Sequence, residues 1–199
     1  MKNEFFVTVC ASGGGGNFEA VVRAQHTVGY RVKLLIVDRE CGAIDKARQH
    51  RIQHQLLDRT LPTEDFSRAM DQAIPADTDL IVLAGFFPII SAALCRKWAG
   101  RIINTHPSLL PKHGGRGMYG VRVQEAVLAS GDTMAGCTVH YVEESIDGGK
   151  IILQQPVAVR DKETAWELGG RIFLEENRLL VQAIELIMGK HGAADVPVA

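Results

Sequence analysis

The chain has 199 residues, 46% hydrophobic and 23% charged, which is ordinary for a soluble globular protein large enough to fold around its own core. A formal net charge of −1 and a pI near 6.7 carry no electrostatic footprint for a nucleic-acid or membrane-surface partner. No apolar run approaches the ~18 residues of a membrane helix, and the N-terminal run is too short for a signal peptide. The four cysteines, Cys10, Cys41, Cys95 and Cys137, are scattered without a CxxC pair. Three sit in or beside apolar runs, so buried reduced thiols in a cytoplasmic protein are expected, with no metal site.

The predicted elements run as follows. Residues 5–11 are apolar and β-branched, a first strand buried on both faces. Ser12-Gly13-Gly14-Gly15-Gly16-Asn17 then leads into helical spacing over residues 18–25. Residues 31–37 make a second strand, 42–50 a short helix and 52–57 a third strand. A helix over 62–73 takes Thr63 as its N-cap. Residues 79–84 are a fourth strand ending in Gly85-Phe86-Phe87-Pro88, 91–98 a helix stopped at Gly100, and 101–105 a fifth strand. After Pro111 the character changes. Residues 112–120 form a glycine-rich basic loop, 121–130 a helix and 136–142 an alternating, half-buried antiparallel strand. An acidic turn over 143–149 precedes another strand at 151–159. Residues 164–189 make one long helix, and 191–199 a frayed tail.

Strands alternating with helices imply an α/β fold: a doubly wound, mostly parallel, Rossmann-like sheet with an antiparallel C-terminal part and a long C-terminal helix. With no repeat and no linker composition, residues 1–199 read as a single domain. Ligands of such sheets bind beyond the carboxyl ends of the strands. The glycine loop, the Gly85 loop and the Asn104 segment all follow strands, so they share that edge.

The segment Ile102-Ile103-Asn104-Thr105-His106-Pro107-Ser108-Leu109-Leu110-Pro111 is the centre of interest. Asn104 and His106 are two residues apart on an extended segment, hence on one face, and Pro107 prevents a helix from starting there. They suit a displayed carboxamide and imidazole, and equally a plain strand end with a surface His. The four glycines at 13–16 can point N–H groups at an anion. Gly13 and Gly15 fit a dinucleotide loop and Asp38 sits where a ribose-binding acid would, but Phe18 occupies the third glycine position. A phosphate or phosphoribosyl group fits better, and a tight turn without ligand is the bland alternative. The loop Gly85-Phe86-Phe87-Pro88-Ile89-Ile90 is apolar where loops are usually polar, which suits a planar ligand or buried packing. Asp147 lies in an Asp-Gly turn, where most aspartates only shape the turn; as a neighbour of His106 it would orient and charge the imidazole. Thr138 and His140 share a strand face and belong to the site or to the core. His113 sits in the basic loop. Glu175 and Glu176 lie on the long helix, where solvated faces are usual. No histidine pair has metal-ligand spacing with a carboxylate.

Together these residues resemble the 10-formyltetrahydrofolate-dependent formyltransferases over about residues 5–189. The most specific pieces are Asn104-Thr105-His106-Pro107-Ser108-Leu109-Leu110-Pro111 and the later Asp147-Gly148-Gly149. The resemblance implies transfer of the formyl group of the co-substrate 10-formyltetrahydrofolate to the amine of 5′-phosphoribosylglycinamide (GAR), by direct attack through a tetrahedral intermediate and without a metal. It implies catalytic places for Asn104, His106 and Asp147, and a substrate-phosphate site at Gly15, Gly16 and Asn17. It further implies a folate site at Phe87, Pro88, Ile89, Ile90 and Asn104, and a substrate contact from Glu175. The expected state is monomer or homodimer.

The sequence departs from the family pattern in three places. Pro88 stands where many relatives carry Arg, Gly16 replaces a usual Ser, and residues 112–120 are longer and richer in glycine. Two other readings follow from the same residues. One is a related formyl-group enzyme, a hydrolase or a transferase to another amine; those usually carry an added domain, which is not expected here. The other is a non-catalytic nucleotide-binding module using the glycine loop and Asp38.

Overall fold

Val, Ile and Thr suit a pleated surface better than a helix, and their runs form the strands of one sheet. A computed structural model describes the backbone of residues 4–194 and the side chains through Lys190. The elements are β1 (Phe5–Ala11), α1 (Gly16–Val28), β2 (Tyr30–Val37), α2 (Gly42–Gln49), β3 (Gln53–Leu56), α3 (Thr63–Ala73), β4 (Leu80–Leu83), α4 (Ala92–Lys97), β5 (Ile102–His106), α5 (Val121–Ala129), β6 (Met134–Tyr141), β7 (Ile151–Ala158) and α6 (Ala165–Ala194).

The seven strands lie in the order β3-β2-β1-β4-β5-β6-β7. The first five pair in parallel; β6 runs antiparallel to β5, and β7 to β6. Successive residues of β1, β2, β4 and β5 feed opposite cores, as the period of two requires. Val7, Val9, Leu80, Val82 and Ile103 join α1, α2, α5 and α6 on one face. Cys10, Ile81, Leu83 and Ile102 join Phe66 and Met70 of α3 and Leu94 of α4 on the other. With both faces covered, the near-continuous apolar runs of β1 and β4 are what a buried parallel strand demands. The strand order reverses beside β1: β2 and β3 lie to one side, β4 and β5 to the other. That switch point is where the carboxyl ends of an open sheet leave a crevice.

Several local expectations need correction. Thr63 is the first residue of its helix, not its cap; Pro62 holds the cap position with no side-chain cap bond. β5 extends through His106, so the imidazole sits on the strand itself. β3 is only four residues long and wholly exposed, an edge strand. The long helix continues to Ala194, five residues past the expected stop at Gly189, so the first part of the expected frayed tail is helical; residues 195–199 lie outside the described residues. Cys10, Cys95 and Cys137 are buried, Cys41 is half-buried, and all four are free thiols. Burial pushes the Cys137 thiol up to about 12 and Cys10 further still, so both stay protonated. Among the described residues, no helix is long and apolar enough to cross a membrane.

The long helix is fixed to the sheet by wholly buried Leu180 and Ile184. Replacing Ile184 with Ala leaves a hole that a packed core cannot fully close, and urea unfolding is expected to show a loss of about 2–5 kcal/mol. A loss below 1 kcal/mol would mean that α6 is not held by this contact.

Candidate active site

The glycine loop bends β1 into α1. Gly15 takes the N-cap position in the left-handed region (φ 72°), with no side-chain cap bond. The first N–H groups of α1 therefore lack intrahelical partners, the usual basis of an anion site. At Gly16 a Cβ would overlap the ring tip of Phe173 on α6, so a side chain there would need that ring to move. The aromatic ring thus takes the space that a serine side chain would need. Asn17 lies buried at the same corner, with its Oδ1 unpartnered.

The loop after β4 is tied to this one. Ser12 N–H donates to Gly85 O (3.0 Å), and Phe87 N–H donates to Ser12 Oγ (2.9 Å). Phe86 turns inward against Phe66, while Phe87 and Ile89 stay about half exposed at 46% and 51%. Phe87, Pro88, Ile89 and Ile90 all line a cavity of about 670 Å³, the size of a small-molecule site.

The floor of that cavity is the β5–β6 ladder. Asn104 faces His140 and His106 faces Thr138 across the pairing. His140 Nδ1 lies 2.9 Å from Tyr141 O, a carbonyl that can only accept, so Nδ1 carries the proton. Its Nε2 then accepts from Asn104 Nδ2 at 3.1 Å. Burial holds the His140 pKa below its ordinary value, keeping the ring neutral and this polarity fixed. Asn104 retains a second N–H beyond the one given to His140. The Nε2 of His106 donates to His113 O at 2.9 Å by the same logic, which leaves Nδ1 facing Asp147 Oδ2 at 3.6 Å. Asp147 adopts φ 54°, tolerated better by Asp than by most residues, and its Oδ1 lies 3.7 Å from His140 Nε2. Gly115 N–H donates to Asp147 Oδ2 at 2.9 Å. One carboxylate thus stands between two imidazoles and beside a carboxamide.

The structure brings Asn104, His106, Asp147, Gly15, Gly16, Asn17 and residues 87–90 to one cavity. Glu175 lies outside it, paired with Arg178 at 3.0 Å on the helix surface. Glu176 instead lines the cavity, is buried, and accepts from Thr105 Oγ1 at 2.9 Å. A helix turns by about 100° per residue, so two adjacent glutamates cannot share a face; only packing decides which one enters. His113 points away from the cavity toward Asp132, and only its carbonyl serves the site. Asp38 is buried and bonded by Arg39 at 2.8 Å, and Phe18 is fully buried where a dinucleotide loop needs its third glycine. Residues 115–120 of the basic loop form one wall, with Tyr119 stacked at 5.6 Å on Phe87. Among the described residues no group of three His, Cys, Asp or Glu side chains has the geometry of a metal site.

Residues 6–184 match the family model described as Formyl transferase. The chain belongs to the formyl transferase family. Phosphoribosylglycinamide formyltransferase, chloroplastic, of Vigna unguiculata is 35% identical over 190 residues, covering 91% of this chain and 60% of that protein. The human trifunctional purine biosynthetic protein adenosine-3 is 33% identical over 192 residues, covering 94% of this chain and 18% of that protein. The chain thus spans 60% and 18% of the length of these two curated relatives. Crystal structures agree: glycinamide ribonucleotide transformylase 1 from Symbiobacterium toebii superposes with a TM-score of 0.86 at 31% identity, covering 95% of this chain and 90% of that one. Phosphoribosylglycinamide formyltransferase from Brucella melitensis gives 0.83 at 32% identity, covering 98% of both chains. Within this formyl transferase fold, Glu176 is the site's most unusual acid, raised by burial to about 7 although the Thr105 hydroxyl opposes the shift.

A carboxyl raised in the folded state from about 4.5 to about 7 keeps a proton that the unfolded chain releases. The stability that this one group contributes is then fully present below pH 4.5 and is lost as pH rises through about 7. In the Glu176→Gln variant, urea midpoints at pH 5 and pH 8 should differ less than in the parent chain. An unchanged difference would remove Glu176 as the source.

Proposed function

We propose that this chain transfers the formyl group of 10-formyltetrahydrofolate to the amine of 5′-phosphoribosylglycinamide. The convergence of Asn104, His106 and Asp147 between an anion-binding glycine loop and an apolar loop supports this reading most directly. The open helix N-terminus at Gly15, Gly16 and Asn17 suits a phosphate, and Glu176 suits the hydroxyl groups of a phosphoribosyl moiety beside it. Phe87, Pro88, Ile89 and Ile90 offer an apolar cradle for a flat ring system, which the cavity volume admits.

The chemistry follows from these positions. The substrate amine attacks the formyl carbon, a C–N bond forms, and the carbonyl oxygen becomes an oxyanion. The free N–H of Asn104, already aligned by His140, donates to that oxygen. His106, with Asp147 at its Nδ1, donates there as an imidazolium or supplies a proton as general acid. Asp147 takes the proton from the attacking amine through water and passes it toward the departing folate nitrogen as the old C–N bond breaks. No protein nucleophile is needed, and none of the buried thiols is near ionisation at neutral pH. The free thiols also support a reducing, cytoplasmic setting.

The test is an acceptor screen with 10-formyltetrahydrofolate as donor and GAR, other amines or water as acceptor. GAR-dependent release of tetrahydrofolate is expected, with little release in water alone; donor loss without any amine would instead show a hydrolase. Asp147→Asn should fold normally by circular dichroism and lower turnover by about 100- to 10,000-fold. Full activity in that variant would remove Asp147 from the mechanism.

A further inference from the structure

The turn after the catalytic strand is gripped from outside the cavity. His113 adopts a left-handed conformation (φ 53°), uncommon for a residue other than glycine. Its Nε2 lies 2.8 Å from Asp132 Oδ2, and the other oxygen of the same carboxylate meets Lys112 Nζ at 2.8 Å. Asp132 stands between α5 and β6, on the far side of the turn from the substrate cavity. His113 and Asp132 are both half-buried beside Leu109, Val127 and Ala135 in a second, smaller cavity of about 290 Å³. The Lys112 pair is exposed and contributes little, so His113–Asp132 is the contact that matters.

The turn's other side carries the chemistry. The carbonyl of His113 takes the Nε2 proton of His106, and two residues later Gly115 N–H binds Asp147 Oδ2. One short stretch of backbone therefore sets the tautomer of His106 and the place of Asp147 together. A change in its tilt moves both.

We propose that His113 and Asp132 are positioning residues: their side-chain pair fixes the turn whose backbone orients His106 and Asp147. Neither touches substrate. The kinetic part of this inference rests on the proposed formyl transfer; the positioning itself does not.

Three variants and two readouts test it on the full chain. Asp132→Ala and His113→Phe should lower kcat about 10- to 100-fold, as a misplacement of about 1 Å does, with KM for both substrates little changed. His113→Gln keeps an N–H near the Nε2 position and should retain most of the activity. Independently, ¹⁵N NMR of the imidazoles should show His106 as the Nε2–H tautomer in the parent chain, and as a mixture in Asp132→Ala and His113→Phe. If Asp132→Ala does not fold, His113→Phe against His113→Gln carries the comparison. Folded variants with parental kcat and an unchanged His106 tautomer overturn the proposal, as does equal damage from His113→Gln and His113→Phe. If the parent chain shows no formyl transfer, the functional reading fails, and the tautomer measurement alone decides the positioning.

Discussion

The site depends on the register of β5 against β6. Side chains alternate faces along a strand, so sliding this pair by one residue would turn Asn104 and His106 away from His140 and Thr138. The pairing is pinned beyond the ladder. Thr138 Oγ1 donates to Ser108 O at 2.6 Å and accepts from Leu110 N–H and Gln154 Nε2, so the chain leaving the catalytic strand is anchored to the strand beside it. The antiparallel addition to an otherwise parallel sheet thus brings a second row of polar side chains to the first.

The parallel half does different work. Its inner strands β1, β2 and β4 are covered on both faces, which leaves only their ends and the loops beyond them for chemistry. At the switch point the glycine loop and the Gly85 loop are bonded to each other through Ser12. The glycine loop and the apolar loop are therefore held together, and Asn104 and His106 on the neighbouring β5 line the same cavity. The last helix closes the remaining side. Phe173 fills the space over Gly16, and Glu176 lines the same cavity, so one turn of α6 shapes the corner at the glycine loop and brings to it an acid whose pKa burial raises.

Much of this was legible in the sequence because it was written in period and spacing. The buried runs of β1 and β4, the two-residue interval from Asn104 to His106 and the glycine loop after a strand each carry local signals. The family resemblance added Asp147, whose turn alone says nothing of a distant histidine. What escaped was decided by packing between elements. Glu175 and Glu176 are equivalent in one dimension and opposite in three. For His140, only the partner strand shows whether the ring meets the Asn104 amide or lies in the core. Nothing local marks the carbonyl of His113 as the acceptor for His106, since backbone groups carry no sequence signature.

The departures at positions 16, 88 and 112–120 have a common physical sense at the rim of the cavity. Pro88 brings no cation to the loop after β4, yet a guanidinium stands there from elsewhere: Arg39 lies 5.5 Å over the ring of Phe87. Its charge is already shared with buried Asp38, so it serves the ring more than it would serve a free anion. On the opposite wall Arg122 lies 5.2 Å over Tyr119, and the two rings meet between the cations. Tyr119 comes from the glycine-rich loop before α5 and Phe87 from the loop after β4, so the contact joins two walls of the cavity. An aromatic pair of this kind is worth about 0.5–1.5 kcal/mol beyond the area it buries. That is only one to a few RT, enough to join two half-exposed loops over the apolar corner but too little to lock them. Phe173 over Gly16 and Tyr119 beside Phe87 thus each bring an aromatic ring to the rim of the cavity that Asn104, His106 and Asp147 also line.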